Sequence, residues 1–126
     1  SIPFLSEIRE NPEISALILI NLIFFYITYS PYPISNLEKL VESGALMRQL
    51  FNEGQYYRII TSAFLHGGYL HLFFNCFAIW ELGRLFGKLY SRHLFVPIFL
   101  YCYCFVYSFC IIAISKVLRR RATLLL

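Results

Sequence analysis

His71 and Asn75 lie four residues apart in the run YLHLFFNCFAIW, and His66 precedes them beside Gly67-Gly68. Four residues is just over one helical turn, so on an α-helix the two side chains share a face. His66 falls one residue outside that rhythm, which places it at the mouth of the same helix. An imidazole and a primary amide are strong hydrogen-bonding groups. In an apolar helix such groups are costly unless something satisfies them. In a membrane helix a pair of this kind marks a functional site by default. The blander role is a structural hydrogen bond between helices. Metal ligation fits poorly, because two imidazoles and an amide are weak zinc ligands without a third His, a Cys or an Asp. The seven acidic residues are all Glu. Cys76, Cys102, Cys104 and Cys110 sit in apolar runs without zinc spacing and read as small apolar fillers. No metal and no other cofactor is expected.

The elements that must hold these residues read as membrane helices. The chain is 59% hydrophobic, 19% aromatic and only 14% charged, with mean hydropathy +0.62. A soluble domain carries nearer a quarter charged residues. The net charge of +4 comes largely from the last dozen residues, so nucleic acid is not an expected partner. Three charge-poor runs, about 14–30, 69–86 and 94–114, are long enough to cross the hydrocarbon layer. Tyr26, Tyr29 and Tyr32 suit an interfacial belt at the end of the first. Asn21 is the one strongly polar side chain within it and reads as a helix-packing hydrogen bond.

Residues 1–13 are mixed and polar, and no signal peptide is expected there. Asn11-Pro12 has the form of a helix start. Between the first two spans lies a long connection, 31–68. Ser35-Asn36-Leu37-Glu38 has the capping-box pattern and Gly44 suits a helix stop, so a short amphipathic helix is expected over about 36–43. Asn52-Glu53-Gly54 reads as a turn. Gly83 and Gly87 form a small-xxx-small pair, which lets a neighbouring helix approach closely. Residues 88–93 form a short basic turn, and Lys116, Arg119, Arg120 and Arg121 end the third span. The fold class is all-α: one membrane domain over 1–126, with three transmembrane helices and a long structured first loop.

The stretch 54–83 resembles the rhomboid family of intramembrane serine proteases, and the likeness extends over roughly 12–101. It rests on Arg58, Thr61, Phe64-Leu65-His66, His71, Asn75 and Leu82-Gly83-Arg84. Tyr57-Arg58 stands where the family has Trp-Arg, and Gly44-Ala45 matches a Gly-Ala pair in its first loop. The resemblance implies that His71 and Asn75 help form an oxyanion hole, with His66, Arg58 and Gly83 in support. It also implies a multi-pass protein of the lipid bilayer that acts on transmembrane segments of other proteins.

Two motifs of the family are missing. Its nucleophile lies in Gly-x-Ser-Gly and its base is a later His, but the serines after Asn75 are Ser91, Ser108 and Ser115, none beside a Gly, and no His follows His93. A serine protease needs nucleophile and base within hydrogen-bond reach. The chain is therefore expected to be inactive alone, as a fragment or truncated form of a rhomboid-type endopeptidase. The alternative is a non-catalytic rhomboid-like protein that binds transmembrane helices of client proteins. An unrelated membrane protein with a structural His/Asn pair ranks last. In rhomboid topology the basic cluster at Lys116 runs against the positive-inside tendency, so the sequence is expected to leave the family pattern after about Ser115.

Overall fold

Asn11-Pro12 divides the N-terminal part of the chain. In the computed structural model, which describes residues 3–125, α1 runs Pro3–Glu10 and α2 runs Pro12–Thr28, bent by 100° at the break. Proline cannot donate to the preceding turn and pushes the residue before it out of the helical region. Asn11 accordingly has φ −129° and ψ 61°, and its side-chain amide donates to the Glu7 carbonyl at 3.0 Å, closing α1. The α1 helix is not apparent in the mixed polar sequence of residues 1–13. Tyr29 is extended at the end of α2, just before the prolines.

The connection after α2 is a series of short helices. α3 spans Pro33–Glu42, starting ahead of the capping-box position. Pro33 at the first turn has the φ a helix needs and no N–H to satisfy, so the helix starts there. No side-chain cap bond forms, and Asn36 lies inside the helix with its amide turned to other work. The stop at Gly44 is as the sequence predicts. Gly44 has φ +108°. Its N–H reaches the Val41 carbonyl at 3.2 Å, and the Ala45 N–H reaches Leu40 at 2.8 Å, the paired bonds of a Schellman ending. α4, Arg48–Asn52, ends likewise at Gly54. α5, Arg58–Thr61, runs on into a 3-10 turn, Ser62–Phe64.

Two long helices follow. α6 spans Tyr69–Leu89, and a 3-10 turn at Arg92–Leu94 leads into α7, Phe95–Leu124. The helix of α7 does not stop near residue 114. Its apolar run ends there, but Lys, Arg, Val, Leu and Ala are acceptable helix formers and no Gly or Pro intervenes, so the helix continues through the basic residues. Among the described residues the secondary structure is entirely helical, so the fold is all-α.

The segment Arg92–Leu124 is long and apolar enough to cross a membrane, and the bent pair of α1 and α2 is a second candidate as one broken span. α6 has the length, but His71, Asn75, Glu81 and Arg84 dilute its apolarity. α2 packs along α6 through Ile14, Leu17 and Ile79, with Phe95 at the head of α7 completing the core. Gly83 makes this approach possible. A Cβ there would sit 2.5 Å from Ile14 Cδ1 and 3.2 Å from Phe95 Cε1, whereas at Gly87 it would meet only Arg92 Cβ at an ordinary 3.5 Å. Only the first glycine of the small-xxx-small pair is thus required by packing. Beyond its first turns α7 is largely uncovered, with Tyr101, Phe105 and Phe109 exposed. Cys102 and Cys110 are exposed on it as well, so they are not core fillers; all four cysteines are free thiols.

At the α6–α7 turn the basic residues meet the acids of the N-terminal segment. Arg84 lies 3.7 Å from Glu7 and from Glu81, and Arg92 Nη1 donates to the Glu10 carbonyl at 2.8 Å. His93 Nδ1 lies 2.6 Å from Glu13 Oε1.

Candidate functional site

The α6 helix brings His71 and Asn75 to the wall of a cavity of about 130 Å³, shared by α2, the 3-10 turn, α6 and α7. Asn21 enters from α2, Ser62 and His66 from the connection, and Tyr103 from α7, over an apolar floor that includes Ile79 and Phe99. His71 is exposed on its outer side and Asn75 is half-buried. Both therefore border the cavity beside α7, and His71 is also open to the surroundings.

His66 is buried, only 3% exposed, and its ring meets that of His71 edge-on at 4.9 Å. Burial lowers its pKa below the ordinary 6.5, and charge on His71 lowers it further, against a smaller opposite effect of the Phe64 backbone. The ring is held neutral at pH 7. Among the described residues, His66 Nδ1 and Asn21 Oδ1 are both buried without a hydrogen-bond partner. The Asn21 amide nitrogen is already committed, donating to the Leu17 carbonyl at 2.8 Å. Asn21 thus bonds within its own helix rather than to a neighbouring one, and its oxygen is left unpaired.

The loop that delivers His66 is fixed by three side chains. Arg58 is buried, and its Nη1 donates to the Val41 carbonyl at 2.6 Å and the Ala45 carbonyl at 3.0 Å, with Nε donating to Gln55 Oε1 at 2.7 Å. A guanidinium there satisfies orphan carbonyls at the negative end of α3. Thr61 Oγ1 donates to the Gly44 carbonyl at 2.7 Å, and a Cβ on Gly44 would sit 2.5 Å from that same oxygen. Asn36 accepts from the Ser30 N–H at 3.0 Å and donates to the Gly67 carbonyl at 3.0 Å, joining the end of α2 to the entrance of α6. Arg58 lies outside the cavity lining and acts on the frame. Gly83 lies further along α6 and sets how closely α2 approaches.

Ser62, Tyr103 and Asn36 do not stand out in the sequence. Ser62 Oγ donates to the Ile59 carbonyl at 3.2 Å and stands 3.1 Å from the Tyr103 hydroxyl, tying the connection to α7. Tyr103 is one of ten tyrosines, and no spacing distinguishes it. Among the described residues no serine is hydrogen-bonded to a histidine; the side chain of Ser115 lies outside them. Ser91 and His93 sit at the far end of α6. No group of three His, Cys or acidic side chains gathers among the described residues.

The sequence model of the Rhomboid domain matches residues 53–119, which include Arg58, His66, His71, Asn75 and Gly83. The chain belongs to the rhomboid family. The match ends at residue 119, four residues past Ser115 and inside the basic cluster, with Arg120 and Arg121 beyond it. The chain is 36% identical over 66 residues to Rhomboid protease GluP of Bacillus subtilis (strain 168), an alignment covering 52% of the chain and 13% of that protein. It is 45% identical over 40 residues to RHOMBOID-like protein 5 of Arabidopsis thaliana, covering 32% of the chain and 13% of that protein. The chain thus spans about an eighth of the length of either curated relative. No solved structure matches it.

Proposed function

We propose that this chain is the oxyanion-binding part of a rhomboid-type intramembrane serine endopeptidase, with α2, α6 and α7 crossing the bilayer as a multi-pass bundle. The observation that supports this most is the shared cavity wall of His71 and Asn75, within a segment that matches the Rhomboid domain. At 1.5 Å per residue, the 21 residues of α6 extend about 30 Å, the thickness of the hydrocarbon layer. The polar cavity then gives its hydrogen-bonding groups somewhere to face other than lipid.

Serine attack on a peptide carbonyl creates a tetrahedral oxyanion. The Asn75 amide and the His71 imidazole can each donate an N–H to it, and one such donor is worth roughly 3 kcal/mol. His66 steadies the His71 ring through their edge contact, while Arg58 and Gly83 hold the frame. The substrates are transmembrane segments whose ends unwind into the site. The nucleophile and base are supplied by neither Ser62, whose hydroxyl is engaged with Ile59 and Tyr103, nor His93, which pairs with Glu13.

The test is cleavage of a transmembrane peptide by the product of the complete reading frame that contains this chain. His71→Ala and Asn75→Ala are each expected to lower kcat by about 10²- to 10³-fold with membrane insertion unchanged. Unchanged cleavage in both variants would overturn the oxyanion role. A second reading, a non-catalytic rhomboid-like protein that binds client helices, is favoured by the exposed aromatic face of α6 at Phe73, Phe74 and Phe77. Retained capture of the peptide without any cleavage would select it.

A further inference from the structure

The two ends of α7 treat positive charge differently. At the end of α6 and the turn before α7, Arg84, Arg92 and His93 each have a Glu within 4 Å, and among the described residues only Lys88 of the basic side chains there lacks one. At the other end Lys116, Arg119, Arg120 and Arg121 are all exposed, and among the described residues none has an acidic partner. No acidic residue follows Glu81 in the sequence. The helix carries these four residues as a rigid extension of its apolar run, rather than as a loose tail. At 100° per residue, Lys116, Arg119 and Arg120 fall within about a third of its circumference, and Leu118, Ala122 and Leu125 lie away from them.

Length fixes where this face stands. The 30 residues of α7 extend about 45 Å, against a hydrocarbon layer of about 30 Å. With the uncharged run from Phe95 to Ile114 filling that layer, the basic residues project into the headgroup zone. We infer that this face of α7 binds the phosphate groups of anionic phospholipids, an inference that rests on α7 being a span. Exposed guanidinium and ammonium groups next to a membrane helix, lacking acids of their own, complement phosphate in charge and in hydrogen-bond geometry.

The test reconstitutes the chain in phosphatidylcholine vesicles containing about a third phosphatidylglycerol and measures lipid contact with spin-labelled lipids. Phosphatidylglycerol is expected at least about fivefold enriched at the protein boundary over phosphatidylcholine. High salt should reduce the enrichment. Replacing Lys116, Arg119, Arg120 and Arg121 together by Gln should bring it to parity. Changing the three arginines to Lys should preserve it, as should Arg84→Gln with Arg92→Gln, because those two charges are already paired. Enrichment that persists in the Gln variant, or that is missing from the wild type, would overturn the proposal. Resistance to carbonate extraction in either vesicle reports on the span separately. If the chain is extracted, the membrane reading fails; if it is retained without lipid preference, only the headgroup site fails.

Discussion

His66 places an imidazole where water is largely excluded, and its protonation is therefore coupled to the integrity of the site. Burial lowers its pKa below 6.5. A loosened or unfolded chain takes up the proton near 6.5, whereas the folded one resists it. The stability contributed by the neutral ring is thus complete above about pH 6.5 and is lost as the pH falls toward the lower folded value. Thermal unfolding in lipid nanodiscs should show a lower midpoint at pH 5 than at pH 7.5. The pH-dependent drop should be smaller in His66→Asn; an equal drop would assign it to other groups. At this scale, His71 and Asn75 are legible because period and polarity coincide in an apolar run. Asn36 goes unnoticed because a capping pattern describes only local bonds, whereas its amide bridges Ser30 and Gly67 across the chain. Ser62 and Tyr103 come together from distant positions in sequence, and neither has a local pattern to announce it.

Among the elements, the contact of α2 with α6 depends most on a single position. Gly83→Leu would drive a side chain into Ile14 and Phe95, with a cost of about 1–3 kcal/mol from overpacking. Gly87→Leu should cost distinctly less, since its nearest neighbour stands at ordinary contact distance. Unfolding midpoints of the two variants check the ranking, and equal losses would contradict it. The orientation of α6 yields a second prediction. Single cysteines at Ser43 and Ser91, in a chain whose native cysteines have been replaced, should be labelled from opposite sides of the membrane. Labelling of both from one side would refute a spanning α6. Helix starts and ends were the least legible part of the sequence. Pro33 starts α3 ahead of a good capping box, and α7 continues past its last apolar turn because charge ends a membrane span but does not end a helix.

At the scale of the whole molecule, the all-α fold and the family follow from patterns long enough to be specific, such as the spacing from Arg58 through His66, His71 and Asn75 to Gly83. The packing of α7 is less legible, because an apolar helix carries no mark of which face meets its neighbours and which meets lipid. The proposed role rests on two statements: His71 and Asn75 are donors for an oxyanion, and among the described residues no serine is hydrogen-bonded to a histidine. Fluorophosphonate labelling of the chain reconstituted in lipid vesicles tests the second directly, since the probe reacts only with an activated serine. No labelling and no cleavage of a transmembrane peptide are expected under the same conditions. Labelling at Ser62 or Ser108 that disappears on substitution of that serine by alanine would contradict that expectation.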